Sequence, residues 1–355
     1  MLGTVASLGD GLRLLAVPLL GWAALRDVRT RRVPNWIWYV VGGLGLVLLA
    51  ADLVRLAPFT GAYARFQLFR IAVSIGFVVP LSYVFWRLGG FGGADAKALM
   101  ALAILFPTYP AYYPPVSVFG TSLPPVLPAE ATLVGVFSLT ILTNTVLVGA
   151  LFPVALAARN ALGGRFSPVM FLARIVPVDD LPEHHGRLFE NRSGLTRSGL
   201  DVDALRMYLR WRGLSLAELR ANPERCRDPA SVAETFDPTD GAVDREERRS
   251  ESSRARFDDA SGVEHGQGDA PTVDVPEAAA YDDPWAAERF LDELEGPSYG
   301  TDAETLREGL TTVVDEDAVW LSPGMPFIVP MFVGLVVALT YGDLLFGLLT
   351  AIGWA

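Results

Sequence analysis

Long apolar blocks constrain this chain more than any other feature. Windows long enough to cross a bilayer begin near Gly11, Asn35, Phe66, Ala131 and Pro326, and a shorter block runs from Ala96 to Phe106. A helix needs about 20 apolar residues to span the hydrocarbon layer. Lipid offers unpaired backbone groups no partner, so helices are the element these blocks specify. The expected fold is all-α and polytopic, with about six transmembrane helices. The fourth is short, or extended by a tail rich in Tyr and Pro.

Charge divides the chain. Of the 40 acidic residues, 34 lie between Arg159 and Ser322 with 19 of the 29 basic ones, so this segment carries −15 and the remainder +4. The domain reading follows: 1–157 is a membrane domain with helices one to five, 158–322 an acidic cytoplasmic insertion, and 323–355 the sixth helix. Within the insertion, 165–222 mixes apolar and charged runs and reads as structured, with "DVDALRMYLRWRGLSLAELR" helical and Asp203 and Arg206 paired along it. Residues 228–284 are rich in Asp, Glu, Ser, Gly and Pro and read as disordered. A short amphipathic helix is expected near 284–295. An acidic solvated surface almost without lysine suits the high-salt cytoplasm of a halophile, and high-GC coding is the other source of arginine in place of lysine. No basic surface remains for nucleic acid.

Topology follows from the arginines. Arg26, Arg29, Arg31 and Arg32 come after the first apolar block, whereas a signal peptide carries its positive charges before it. The positive-inside rule puts this loop in the cytoplasm and the N-terminus outside. Arg87 and Lys97 return to the inside. The stretch 105–130 has no Lys or Arg and suits the outside. The insertion is then cytoplasmic, and the C-terminus external.

Few groups are available for catalysis. A single cysteine, Cys226, excludes an intrachain disulfide and a Cys-based zinc site. The histidines are His184, His185 and His265, without a zinc-protease spacing, and the adjacent pair reads as a solvated loop. Neither metal nor other cofactor is expected. Ionisable residues in apolar segments are costly and thereby become candidates. Asp27 ends the first helix and Asp95 begins the fourth, both on the cytoplasmic side. Two facing carboxylates do not both ionise comfortably; one keeps its proton while the other activates water. Such a dyad hydrolyses a peptide bond without metal, Cys or Ser. Asp10, Asp52 and Asp343 read as helix-end acids, with Asp52 and Asp343 on the external side.

These acids sit in motifs that carry a resemblance. "DVRTRRVPN", with Asp27, Arg29, Pro34 and Asn35, resembles the first active-site motif of the type IV prepilin and archaeal preflagellin peptidases. "GGADAK" is similar to the second motif of this GxGD-type family, with Gly92, Asp95 and Lys97 matching, Gly93 beside them and Ala94 in place of the second glycine. "PGMPFIVPMFVG" resembles the proline-rich entry to the last helix, at Pro326, Phe327 and Pro330. The resemblance implies a membrane aspartic endopeptidase with Asp27 and Asp95 catalytic. Its partners would be the lipid bilayer and precursors bearing a basic leader and a hydrophobic helix, such as archaellins or pilins. Two other readings stay open here: a transporter whose acids relay protons, and a scaffold whose acidic region recruits partners. The glycines before Asp95 read as a flexible elbow. Lys97, the sole lysine, reads as a headgroup anchor or as a group contacting substrate. The oligomeric state is left open.

Overall fold

The computed structural model describes residues 6–88, 90–115, 117–118, 121–122, 124–191, 194–232, 234–241, 243, 282–296 and 298–354. Most of the expected disordered stretch, residues 244–281 with His265, lies outside them, as does Gly89. Two compact units emerge, Met1–Ala155 with Met325–Ala355, and Leu156–Gly324.

The first unit is helical. Its elements are α1 (Leu8–Arg13), α2 (Ala16–Thr30), α3 (Trp36–Leu56), α4 (Gly61–Val73), α5 (Val79–Arg87), α6 (Gly93–Leu105) and α7 (Phe137–Leu162), which runs on into the second unit. After the insertion come α13 (Ile328–Thr340) and α14 (Leu344–Ala351). Four stretches are long and apolar enough to cross a membrane: Leu8–Thr30, Trp36–Leu56, Gly61–Arg87 and Phe137–Leu162. By contrast, α6 and α13 have 13 residues each, which at the helical rise is about 20 Å and short of a hydrocarbon layer. Large apolar side chains such as Leu46, Val47, Val54, Phe66 and Phe69 are exposed, so the surface is apolar like the core, as lipid requires.

Proline explains the irregularities. The carbonyl that Pro18 would crowd belongs to Leu14, where α1 and α2 separate. Pro80 likewise faces Gly76 inside the π-helical stretch Ser74–Val78 that joins α4 to α5. Buried Ser74 uses the distortion to donate to Ala103 O at 2.7 Å. The last apolar run is two helices rather than one. Gly342 turns the chain at φ 110°, and Asp343 caps α14 by accepting from Phe346 N at 2.9 Å. Fully buried Asn144 holds the break, donating to Gly342 O at 2.8 Å and accepting from Leu344 N at 2.9 Å.

The packing around α3 and α13 positions the site. Helix α3 packs on α6 and α2, and α13 packs on α2 and α6. The α3–α6 approach is close at Gly45, where a Cβ would lie 3.0 Å from Leu105 N. Phe332 of α13 fits against Gly21 of α2, 3.1 Å from where a Cβ would stand. At the same end of α6, buried Arg13 donates to Leu105 O at 2.9 Å and pairs with Asp10 and Asp52. Those two acids therefore neutralise a cation.

The second unit corrects the all-α expectation. Strands β3 (Arg174–Pro177), β4 (Arg187–Leu188) and β7 (Ala318–Ser322) form an antiparallel sheet in the order β3-β7-β4. Only β7, with alternating burial, is long enough to leave a period-two trace in sequence. Minor hairpins are β1 (Ser117–Val118) with β2 (Thr121–Ser122), in the first unit, and β5 (Glu190–Asn191) with β6 (Gly194–Leu195). The helices are α8 (Val202–Arg212), α9 (Leu216–Ala221), α10 (Pro223–Arg227), α11 (Ala287–Asp292) and α12 (Ala303–Asp315). Asp201 caps α8, accepting from Asp203 N at 2.9 Å, and Asp203 pairs with Arg206. Tyr208, Trp211 and Phe290 stack together in the core with centroids 5.5–6.0 Å apart. Order extends past Asp228: Phe236 N donates to Trp211 O at 2.9 Å and Arg206 Nε to Gly241 O at 2.7 Å. His184 and His185 are half-buried beside Arg174 and Asp203, and no metal-ligand cluster occurs among the described residues.

Candidate active site

Helix α2 stops at a left-handed residue, and that stop builds the first half of the site. Arg31 has φ 54°, and its N–H closes the helix on Asp27 O at 2.8 Å. Asp27 faces inward from the last turn and is 8% exposed. The chain then passes through Pro34 and starts α3 at Asn35. Asparagine is a strong N-cap residue, yet Asn35 caps nothing with its side chain. Its Oδ1 accepts from Lys97 Nζ at 2.7 Å instead.

The second half comes from the turn between α5 and α6. Gly90 N and Phe91 N both donate to Phe85 O, at 2.8 and 3.2 Å, folding the turn back over the end of α5. Asp95 lies in the first turn of α6, and its Oδ2 accepts from Gly92 N at 3.1 Å. Gly92 and Gly93 differ in the space around them. Gly92 has φ −65°, open to any residue, but a Cβ there would lie 2.8 Å from Asp95 Oδ2. Gly92 is thus a matter of space for the carboxylate. A Cβ on Gly93 would meet only Trp86 Nε1, at 3.6 Å, an ordinary contact.

The C-terminal motif closes one side. Phe327 stacks on Phe91 at 5.0 Å between centroids, and Phe91 on Phe85 at 5.1 Å. Pro326 O accepts from Val329 N at 3.0 Å, and Pro330 falls in the first turn of α13, where its missing N–H costs no helical bond.

Asp27 and Asp95, 68 residues apart in sequence, are close enough that the charge of one acts on the other. The charge of Arg31 acts on both. Arg29, which the motif singled out, is exposed and has no hydrogen bond or ion pair from its side chain among the described residues. Arg31 is the cation that sequence reading passed over, because which of the four arginines lies near both acids depends on how the chain folds after α2. The arrangement is two carboxylates with a shared counter-charge, at the end of α2 and the start of α6, which is what metal-free hydrolysis by a proton-sharing pair requires.

Known proteins resemble this chain in two regions. Residues 14–154 match the Type IV leader peptidase family, and residues 234–344 match the archaeal Peptidase A24 C-terminus, type II. A preflagellin peptidase of Methanococcus voltae is 29% identical over 153 residues, covering 42% of this chain and 58% of that protein. The match therefore spans less than two thirds of the relative's length. Asp27 and Asp95 both fall in the first matched region, and Pro326, Phe327 and Pro330 in the second. Apolar helices of spanning length, in a chain so matched, describe a multi-pass membrane protein. The chain belongs to the type IV leader peptidase family.

Proposed function

We propose that the protein is a membrane aspartic endopeptidase that removes basic leader peptides from archaellin- or pilin-like precursors, with Asp27 and Asp95 as the catalytic pair. The reading is carried by two acids from distant motifs, at the end of α2 and the start of α6, near enough that the charge of Asp27 acts on Asp95 and that of Arg31 on both. One carboxylate is ionised and takes a proton from water, whose oxygen attacks the scissile carbonyl. The other is protonated and hydrogen-bonds the carbonyl oxygen as charge develops. Collapse of the tetrahedral intermediate passes a proton to the leaving amine.

In this reading α6 and the α13–α14 pair complete six spans, and the acids lie at the cytoplasmic edge of the cell membrane. A precursor's hydrophobic helix lies in the bilayer while its basic leader stays in the cytoplasm, so the cleavage point reaches the depth of the pair. The four arginines between Arg26 and Arg32 support this orientation. The test is co-expression with archaellin and pilin precursors, followed on a gel. Leader removal is expected from the intact protein, and loss of about 10²-fold or more in rate from Asp27→Asn and from Asp95→Asn. Full-rate cleavage by either variant overturns the assignment.

A further inference from the structure

Between Glu130 and Asp179 the chain has no acidic residue, although it has Arg159, Arg165 and Arg174. This is where α7 ends and the strongly acidic insertion begins. The end of α7 is elaborately held. Asn160, 2% exposed, donates to Met170 O and Ala173 O, each at 2.8 Å, and its own carbonyl accepts from Arg165 N at 2.9 Å. That clamp draws the 3-10 turn Pro168–Phe171 onto the helix end. Val169 and Ala173 turn inward with Phe189 and Trp320. Leu162 and Phe166 are left 91% and 78% exposed, with Phe171 and Leu172 exposed beside them. A rigid loop thus presents apolar side chains where a candidate membrane span stops.

Among the described residues no carboxylate pairs with the cations there. Elsewhere in the unit Arg206, Arg220 and Arg307 each meet a carboxylate. Arg174 meets none among the described residues: there its side chain has His184 Nδ1 at 3.2 Å, and its buried Nε has no acceptor. The like charge of Arg159 acts on it. The Asn160 bond to Ala173 O brings the residues that follow and precede these two arginines together, and two like charges so placed are unfavourable unless an anion joins them.

We propose that Arg159 and Arg174, framed by Leu162, Phe166 and Phe171, form a seat for the phosphate of a membrane phospholipid. A phosphate accepts from guanidinium forks in the geometry they prefer. The adjoining exposed side chains match the acyl region of the same molecule, which selects a lipid over a free anion. The seat neutralises the Arg159–Arg174 repulsion. It also holds the base of the acidic insertion at a headgroup surface that would otherwise repel it. The inference is independent of the peptidase reading and does not involve Asp27 or Asp95.

The test uses the full chain, purified from nanodiscs of phosphatidylglycerol or of an uncharged galactolipid, with lipid retention read by native mass spectrometry. Retention of phosphatidylglycerol above galactolipid is expected. It should fall about fivefold for each cation removed in Arg159→Gln and Arg174→Gln, and stay unchanged in Arg225→Gln. Inorganic phosphate at matched concentration should not displace the lipid. Unchanged retention in the double variant overturns the proposal, and so does full displacement by inorganic phosphate, which would mark a free-anion site. An independent readout leaves both arginines in place: a nitroxide at Phe166→Cys in a Cys226→Ala background, in nanodiscs. Relaxation by oxygen in preference to a water-soluble nickel chelate is expected; the reverse preference overturns the proposal.

Discussion

Lys97 Nζ donates to Asn35 Oδ1 at 2.7 Å, joining the residue that opens α3 to the second turn of α6 across 62 positions of sequence. The bond ties the loop that follows Asp27 to the helix that carries Asp95. Two residues along α6 turn Lys97 away from Asp95, so the lysine acts on the partner motif rather than on its own. Lys97→Met and Asn35→Leu are each expected to slow precursor cleavage by about five- to tenfold, the worth of one hydrogen bond to a charged group near the surface. The double variant should be no slower than the worse single one, which a four-way comparison of cleavage rates measures. Additive losses would show that the two side chains act separately. Lys97→Arg keeps the charge but brings a planar fork to a single acceptor, and its rate should fall between wild type and Lys97→Met.

The two glycines of the turn should separate in the same assay. Gly92→Ala brings a Cβ to 2.8 Å from Asp95 Oδ2, so the carboxylate must move and lose its bond from Gly92 N. Cleavage is expected to drop at least about tenfold, because a small displacement of a reacting group is costly. Gly93→Ala makes an ordinary contact with Trp86 and should retain nearly full activity.

Arg31 and Arg29 offer a matched pair of charge removals. The charge of Arg31 acts on Asp27 and Asp95, whereas Arg29 is exposed. Arg31→Gln should change both the cleavage rate and the pH at which it is greatest. Arg29→Gln should leave that pH unmoved. A pH–rate profile for each variant reads the difference.

Asp201 gives the second unit a pH dependence of its own. Burial pushes its carboxyl up to about 6, above the ordinary value of 3.8, against the hydrogen bond from Asp203 N. A raised folded value means that the folded protein holds this proton more tightly. Its stabilising effect is complete below the unfolded value of 3.8 and is lost as the pH rises through 6. Asp201→Asn keeps a good helix cap without the buried charge. It should melt higher than wild type at pH 7.5, by up to about 3 kcal/mol of stability. That advantage should shrink as the pH falls towards 4 (a window that follows from the linkage relation). Thermal melts of the full chain across this range test it.

Asn144 holds the break between α13 and α14 with one amide. Asn144→Ala leaves Gly342 O and Leu344 N without this partner inside the helical unit. The expected loss is about 2–4 kcal/mol, from two polar groups left unsatisfied. A lowered melting temperature in detergent checks this.

Local pattern alone made much of the molecule legible. Apolar runs identified the long helices because a backbone in lipid has few ways to pair its polar groups. Asp27 and Asp95 stood out as acids at the ends of apolar blocks, and the resemblance of "DVRTRRVPN" and "GGADAK" to the family's motifs made them candidates. The split of charge, −15 against +4, is the sequence feature from which the insertion is read. Other features depended on tertiary structure. The sheet β3-β7-β4 joins strands more than 100 residues apart, two of them too short to leave a periodic signal. Arg31 lies near both acids because of how the chain folds after α2, and Gly92 matters because of where a carboxylate lies. Lys97 meets Asn35 because α3 packs against α6. Sequence period determines which face of an element is apolar, whereas contact between residues 62 or 68 positions apart is determined by how closely the helices carrying them approach, as α3 and α6 do at Gly45.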